Sequence, residues 1–141
     1  MSLNYTPKTI KHFLKPKNIG LLKNPDAQAE IGNMVCGDQL SFTLKVKGGK
    51  IQDIKFLSFG CASNIATASI MTEKVKGMSL AAAKKFNWQA IVDELGGLPR
   101  QKIHCSMMAV EGLRKVIAMY EKEHPLTKKV FVGLKIKKNK R

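Results

Sequence analysis

Two stretches on either side of a glycine pair constrain the fold of this chain most strongly. From residue 40 to residue 47, apolar side chains alternate with polar ones, the period of a β-strand that buries one face. Gly48-Gly49 then supplies a two-residue turn that can adopt positive φ, and residues 50–59 supply a returning strand. We predict an antiparallel hairpin here, with a β-bulge or an early register change where Ile51 interrupts the alternation.

Other segments show the periodicity of helices or of a short strand. Thr6 and Pro7 are suited to begin an N-terminal helix, and apolar residues recur at helical spacing after Cys61 until Gly77, a residue typical of the position just past a helix end. The full set of further predictions is a strand at 27–33 and helices at 5–14, 62–76, 79–85, 88–95 and from about residue 105 to 123.

Length and composition are those of one folded domain. The chain has 141 residues, of which 44% are hydrophobic, enough for a single core. Its three cysteines are an odd number that requires no disulfide framework, and no apolar run approaches the about 18 residues of a membrane span. These features predict a soluble protein of a reducing, cytoplasmic compartment with no membrane partner.

The net charge of +15 is concentrated near the two ends of the chain. Residues 24–127 contain 13 basic and all 10 acidic residues, so the middle of the chain carries only about +3. No motif of stacking aromatic residues accompanies the basic termini. We therefore favour solvated basic ends over a nucleic-acid-binding function, the reading in which the cysteines would be incidental.

Three cysteines stand at the edges of predicted elements, each beside a helper residue. Cys36 is followed by Asp38, Cys61 comes after a glycine at a helix start, and His104 precedes Cys105. Three thiolates and a carboxylate can complete a four-ligand site for zinc or for the irons of a small cluster. The alternative is that each cysteine is a small buried hydrophobe and that Asp38 is an ordinary turn residue.

Position at a helix start also predicts the chemistry of two cysteines. The positive end of a helix dipole lowers the pKa of a thiol, which predisposes Cys61 and Cys105 to be thiolates. Neighbouring residues on a helix diverge by about 100°, so His104 suits an alternate ligand, a proton donor or an outer-shell group better than a permanent ligand. His12 and His124 lie in basic or terminal segments, and we predict that both are exposed.

Five ordered motifs carry a resemblance that spans residues 5–124. They are His12-Phe-Leu-Lys-Pro-Lys-Asn-Ile-Gly20, Cys36-Gly-Asp38, Phe59-Gly-Cys61-Ala-Ser-Asn-Ile-Ala-Thr-Ala-Ser69, Glu73-Lys-Val-Lys-Gly77 and Lys102-Ile-His-Cys-Ser106. Together they resemble the NifU/IscU-type iron–sulfur cluster assembly scaffold proteins. The resemblance implies an α+β fold in which a small antiparallel sheet of about three strands is covered by helices, with a long C-terminal helix. It also implies a scaffold domain, which we place at 1–126. The basic tail at 127–141 lies beyond the match, and its alternating apolar residues leave an added edge strand, a docking tail or a mostly disordered segment open.

The same resemblance implies a function. Such a scaffold is a binding protein rather than an enzyme: it assembles a [2Fe–2S] cluster from iron and sulfur and passes it to apo-proteins. Its partners are a cysteine desulfurase and an electron donor such as ferredoxin, and a cluster shared by two subunits would make a homodimer the functional form. Cys36, Cys61 and Cys105 would accept sulfur and bind the cluster, with Asp38 or His104 in the fourth position, and zinc would fit the same site in purified protein.

One departure limits what the resemblance implies, and one rival function stands beside it. Where scaffolds served by a dedicated Hsp70-type chaperone read Leu-Pro-Pro-Val-Lys, this chain reads Leu98-Pro-Arg-Gln-Lys102, which argues against that chaperone as a partner. The rival function is a zinc-dependent sulfurtransferase that accepts persulfide sulfur from the desulfurase. Those relatives carry an added segment before the third cysteine, and residues 61–105 show none.

Overall fold

The computed structural model describes residues 5–33 and 38–124 of the chain, so Cys36 and the predicted tail at 127–141 lie outside the described residues. In the described part, no helix combines the length and hydrophobicity that crossing a membrane requires. The elements follow in the order α1 (Pro7–Leu14), β1 (Ala27–Asn33), β2 (Asp38–Lys47), β3 (Lys50–Phe59), α2 (Ala62–Val75), α3 (Leu80–Lys84), α4 (Trp88–Glu94), a 3-10 turn (Arg100–Lys102) and α5 (Ile103–Glu123).

Within the described residues, the strands form an antiparallel sheet in the order β1-β2-β3, which confirms the predicted α+β fold with a three-stranded sheet. The predicted hairpin joins β2 to β3, and both turn glycines have positive φ, 61° at Gly48 and 74° at Gly49. The register shifts between Lys45 and Val46, where Val46 pairs with Ile51. This register shift is the irregularity predicted at Ile51, and it allows Ile51 to be buried with the rest of the core.

Helices α2 and α5 provide the other half of the core. Both contact the sheet and each other, and the inward side chains of the strands are fully buried beneath them, among them Leu40, Phe42 and Phe56. Gly112 lets α5 lie directly against the sheet, because a Cβ at this position would be 2.4 Å from Cε2 of Phe42. The close approach fixes the position of α5 over β1 and β2.

Helix α1 packs on α2, and this packing overturns the prediction that His12 is exposed. His12 is 8% exposed, and its Nδ1 lies 2.8 Å from Oγ of Ser69, which also accepts a hydrogen bond from the backbone N–H of Lys17 at 2.8 Å. Burial lowers the pKa of His12, and nearby lysines lower it further against the opposing effect of Glu73. Surrounding lysines in the sequence concealed that His12 is on the inward side of an amphipathic helix.

His124 is also less exposed than predicted. Its ring stacks on that of Tyr120, with centroids 4.3 Å apart, and its Nδ1 lies 2.9 Å from the carbonyl oxygen of the same residue. A histidine at a helix end can cover the last turn in this way, so a terminal position does not by itself predict exposure.

Candidate metal and cluster site

Asp38, Cys61 and Cys105 meet at one end of the domain, and one ligand atom of each lies within 4.8 Å of those of the other two. The sheet explains half of this convergence. Because Gln39 pairs with Phe59, the first residue of β2 lies beside the chain that leaves β3 and enters α2 at Cys61. Helix α5 completes the group by bringing Cys105, its third residue, to the same end of the molecule.

The spacing of these side chains suits a tetrahedral ion. The sulfurs of Cys61 and Cys105 are 3.9 Å apart, and Oδ2 of Asp38 is 4.0 Å from the first and 3.7 Å from the second. An ion that binds sulfur at about 2.3 Å in tetrahedral geometry separates two sulfur ligands by about 3.8 Å. The described atoms therefore provide three of four ligand positions, the carboxylate after a small shift toward the sulfurs, and they could hold zinc or the iron of a cluster.

The two cysteines differ in exposure and in charge. Cys105 is fully buried, whereas Cys61 is half-buried. A hydrogen bond from Cys105 lowers the pKa of Cys61 to about 4, against the opposing effect of burial, and the Ser63 hydroxyl and the Asn64 backbone N–H lower it further. The same shared hydrogen bond and burial raise the pKa of Cys105.

The prediction that both helix-start cysteines are thiolates is therefore wrong for the metal-free protein. Two negative sulfurs 3.9 Å apart repel each other, so the pair keeps one proton, and that proton resides on the more buried Cys105. Metal binding would have to displace it, since both sulfurs bind a metal as thiolates.

The side chain of His104, two residues after the 3-10 turn, points toward this group. Its Nδ1 lies 3.0 Å from the carbonyl oxygen of Gln101, and because a carbonyl only accepts, Nδ1 carries the proton. The other nitrogen, Nε2, is 3.5 Å from Oδ2 of Asp38 and 3.7 Å from Sγ of Cys105. In the neutral ring this nitrogen offers a lone pair, which is what an alternate ligand needs.

Sequence reasoning missed two residues that act on the sulfurs. The Ser63 hydroxyl lies 3.1 Å from Sγ of Cys61 and 3.2 Å from Sγ of Cys105. Lys102 forms a hydrogen bond with Cys61. Burial alone would lower the pKa of this lysine, but the charge of the Cys61 thiolate and the hydrogen bond raise it overall. Their positions gave a signal, since Ser63 follows Cys61 within one helical turn and Lys102 precedes Cys105 by three residues.

Gly60 has a different role from the one its sequence suggests. The sequence indicates that it gives the backbone freedom before Cys61, yet it is not among the glycines with positive φ. Glycine is required because there is no room for a side chain: a Cβ here would lie 2.2 Å from Nδ2 of Asn64 and 2.6 Å from Oδ1 of Asp38. Gly60 thus allows the Asp38 carboxylate to come close to α2.

Comparison with known proteins identifies the family of this chain. The model of the NifU-like N terminal domain matches residues 4–126, nearly the whole chain. This chain belongs to that family. The NifU-like domain described here is 45% identical over 116 residues to the iron-sulfur cluster assembly scaffold protein IscU 1 of Archaeoglobus fulgidus, covering 82% of this chain and 76% of the relative.

Two further comparisons extend the similarity. The iron-sulfur cluster assembly scaffold protein IscU of Aquifex aeolicus is 43% identical over 122 residues, covering 85% of the NifU-like domain's chain and 78% of the relative. The crystal structure of a hypothetical protein is similar with a TM-score of 0.66 and 27% identity, covering 79% of this chain and 94% of the other. Fold and family are therefore shown by independent comparisons.

Proposed function

We propose that this protein is a scaffold on which a [2Fe–2S] cluster is assembled and from which it is passed to apo-proteins. The observation that carries the proposal is the convergence of the sulfurs of Cys61 and Cys105 with the carboxylate of Asp38 in a chain of the NifU-like family. Relatives named as iron-sulfur cluster assembly scaffolds support it. We assign Cys36 as the third sulfur ligand, with Asp38 as the fourth ligand and His104 as its alternate.

Sulfur would arrive as a persulfide on a cysteine desulfurase. A thiolate of the scaffold attacks the outer sulfur, the sulfur–sulfur bond of the donor breaks, and the desulfurase cysteine leaves as a thiolate. Reduction of the transferred sulfur to sulfide takes two electrons, which an external donor such as ferredoxin supplies, and it returns the scaffold cysteine to a thiolate. Of the two described cysteines, Cys61 holds its negative charge before any metal binds.

The mixed ligand set suits a cluster that must later leave. Soft thiolates bind iron and zinc firmly, whereas the carboxylate of Asp38 is a hard ligand and a weaker partner for the same iron. Asp38 is 6% exposed and lies beside His104, which can take over a position that the carboxylate gives up. The recipient's own cysteines would therefore displace Asp38 first.

Exposed apolar side chains next to the site in the sequence fit the docking of partners. Phe59 and Met107 are 63% and 42% exposed, and each lies two residues from a site cysteine. Large apolar side chains are enriched where protein surfaces meet, so desulfurase, recipients or a second copy of the chain would bind at this end.

Anaerobic reconstitution with ferrous iron and sulfide tests the proposal. Wild type should develop the visible absorption of a [2Fe–2S] cluster, with iron and sulfide bound in equal amounts, and Cys61→Ser should not, since a hydroxyl is a poor substitute for a soft thiolate. A wild type that binds zinc but forms no cluster would favour the zinc-dependent sulfurtransferase instead.

Transfer to an apo-ferredoxin tests the role of Asp38. We expect Asp38→Ala to retain a cluster that persists longer in air and transfers more slowly than in wild type. Asp53→Ala is the matched control, because Asp53 pairs with Lys76 on the surface and lies outside the site. Equal transfer rates for Asp38→Ala and wild type, at the same cluster loading, would remove Asp38 from the transfer mechanism.

A further inference from the structure

Asn64 is a buried amide beside the candidate metal site, and it has no hydrogen-bond partner among the described residues. It stands three residues after Cys61 on the first turn of α2, and its side chain is fully buried. Among the residues that the structure describes, neither its Nδ2 nor its Oδ1 has a hydrogen-bond partner. Most buried polar side chains are paired, so an amide left over beside a site indicates a partner that takes its final place when the site is filled.

The position of the amide identifies that partner. A Cβ on Gly60 would lie 2.2 Å from Nδ2 of Asn64 and 2.6 Å from Oδ1 of Asp38, so both atoms surround the same point. The space that glycine leaves there separates a hydrogen-bond donor from a carboxylate oxygen. A small movement of either side chain closes it.

The two oxygens of Asp38 have different neighbours. Oδ2 faces the ligand group, at 3.5 Å from Nε2 of His104 and at 3.7 Å from Sγ of Cys105. Oδ1 faces Gly60 and Asn64 on the other side of the carboxylate. A carboxylate that binds a metal through one oxygen is commonly held through the other by a hydrogen bond.

We propose that Asn64 is a positioning residue for Asp38: its Nδ2 donates a hydrogen bond to Oδ1 when the site is filled, and so directs Oδ2 to the metal. The inference rests on the proposed function, in which Asp38 is a metal or cluster ligand. The alternative, Asn64 as a ligand itself, is less suitable, because zinc in proteins is bound by thiolates, imidazoles and carboxylates rather than by neutral amides.

Zinc affinity tests this role without depending on cluster transfer. The affinity is measured at neutral pH by competition with a chromophoric chelator, for wild type, Asn64→Ala, Asp38→Ala and the double variant. Asn64→Ala should bind zinc roughly 10–100-fold more weakly, the usual effect of losing an outer-shell partner. Because Asn64 acts through Asp38, it should have no further effect in the Asp38→Ala background.

Two more variants separate positioning from folding. Asn87→Ala is the matched control, since Asn87 is an amide that caps α4 away from the site, and it should leave zinc affinity unchanged. Asn64→Asp keeps the shape of the side chain but replaces the donor with an acceptor, so it should also weaken zinc binding. It provides the test if Asn64→Ala does not fold. The visible spectrum of bound Co²⁺ should change in both Asn64 variants, as the carboxylate loses its fixed orientation.

The outcomes distinguish this inference from the proposed function. Zinc affinity within twofold of wild type in Asn64→Ala would overturn the positioning role alone. A loss of equal size in the Asp38→Ala background would also overturn it, because Asn64 would then act on the metal directly. A wild type that binds neither metal nor cluster would overturn the proposed function, and this inference with it.

Discussion

The N-terminal turn and the middle of α2 bury polar side chains in opposite ways. In the middle, Ser69 joins the imidazole of His12 to the backbone N–H of Lys17, so that the hydroxyl is fully used. At the N-terminal turn, the Asn64 amide lacks described partners, and the sulfurs of Cys61 and Cys105 share one proton. The first group holds α1 on α2. The second group has a polar amide and a thiolate that are available to a ligand.

This difference separates a structural polar cluster from a functional one on the same helix. A buried network with every atom paired makes packing unique, whereas leaving polar atoms unpaired costs free energy of folding. Such a cost in stability is tolerated where a ligand binds, because binding to the folded state stabilises it. Changes at the two places should therefore have opposite signatures: loss of metal affinity at one and loss of folding stability at the other.

The largest expected contrast concerns the reactivity of Cys61. With a pKa of about 4, its reaction with iodoacetamide in the metal-free protein should vary little from pH 5 to pH 8, whereas the reaction of an ordinary thiol of pKa about 8.5 rises roughly tenfold per pH unit. Cys105, with its raised pKa and full burial, should stay unmodified. Peptide mapping by mass spectrometry assigns each cysteine. A Cys61 rate that rises tenfold per unit would disprove the shared-proton arrangement.

Two glycine substitutions compare the site with the core. In Gly60→Ala, the new Cβ meets Asp38 and Asn64, so we expect zinc affinity to fall roughly 10–100-fold, as for other losses of ligand support. In Gly112→Ala, the Cβ meets the ring of Phe42, which should cost about 1–3 kcal/mol of unfolding free energy and leave zinc affinity unchanged. Urea denaturation and chelator competition measure both quantities, and the same effect from both variants would refute the comparison.

The smallest expected effect comes from His12. His12→Gln should lower the free energy of unfolding by about 0.5–1.5 kcal/mol, because the hydroxyl of Ser69 loses a well-placed partner. The pKa of His12 is lowered in the folded state from its ordinary value of 6.5. As the pH is lowered through 6.5, the unfolded state therefore binds more protons than the folded state, and the free energy of unfolding decreases. This acid dependence should weaken in the variant. Reduced zinc affinity in His12→Gln would show that the two polar groups are coupled.

Local signals in the sequence were sufficient for the secondary structure and for the family. The alternation in β2, the paired glycines and the helical spacing after Cys61 each report on backbone geometry within a few residues, and the structure confirms them. The convergence of Asp38, Cys61 and Cys105 required a folded domain, and the sequence indicated it in two ways: by the position of the cysteines at the edges of elements and by the family motifs. The role of Cys36 as a ligand stays a prediction.

What the sequence did not reveal depends on contacts between distant elements. Burial of His12 is caused by α2, which lies more than fifty residues further along the chain. The single proton shared by Cys61 and Cys105 depends on a distance between two helix starts, which helix-dipole reasoning for each helix alone cannot supply. Asn64 looked like one more polar residue on a first turn until the space at Gly60 placed it beside Asp38.

The placement of the site on β2, α2 and α5 also determines when in the life of the chain it can exist. Asp38 and Cys105 are 67 residues apart, and Cys105 is on the last helix that the structure describes. During synthesis, a chain that has emerged only as far as α4 lacks Cys105 and cannot yet complete the ligand group. In the proposed scaffold, a loaded metal would therefore report that the chain has been made and folded at least through the start of α5, and a shorter chain would not compete for iron at this site.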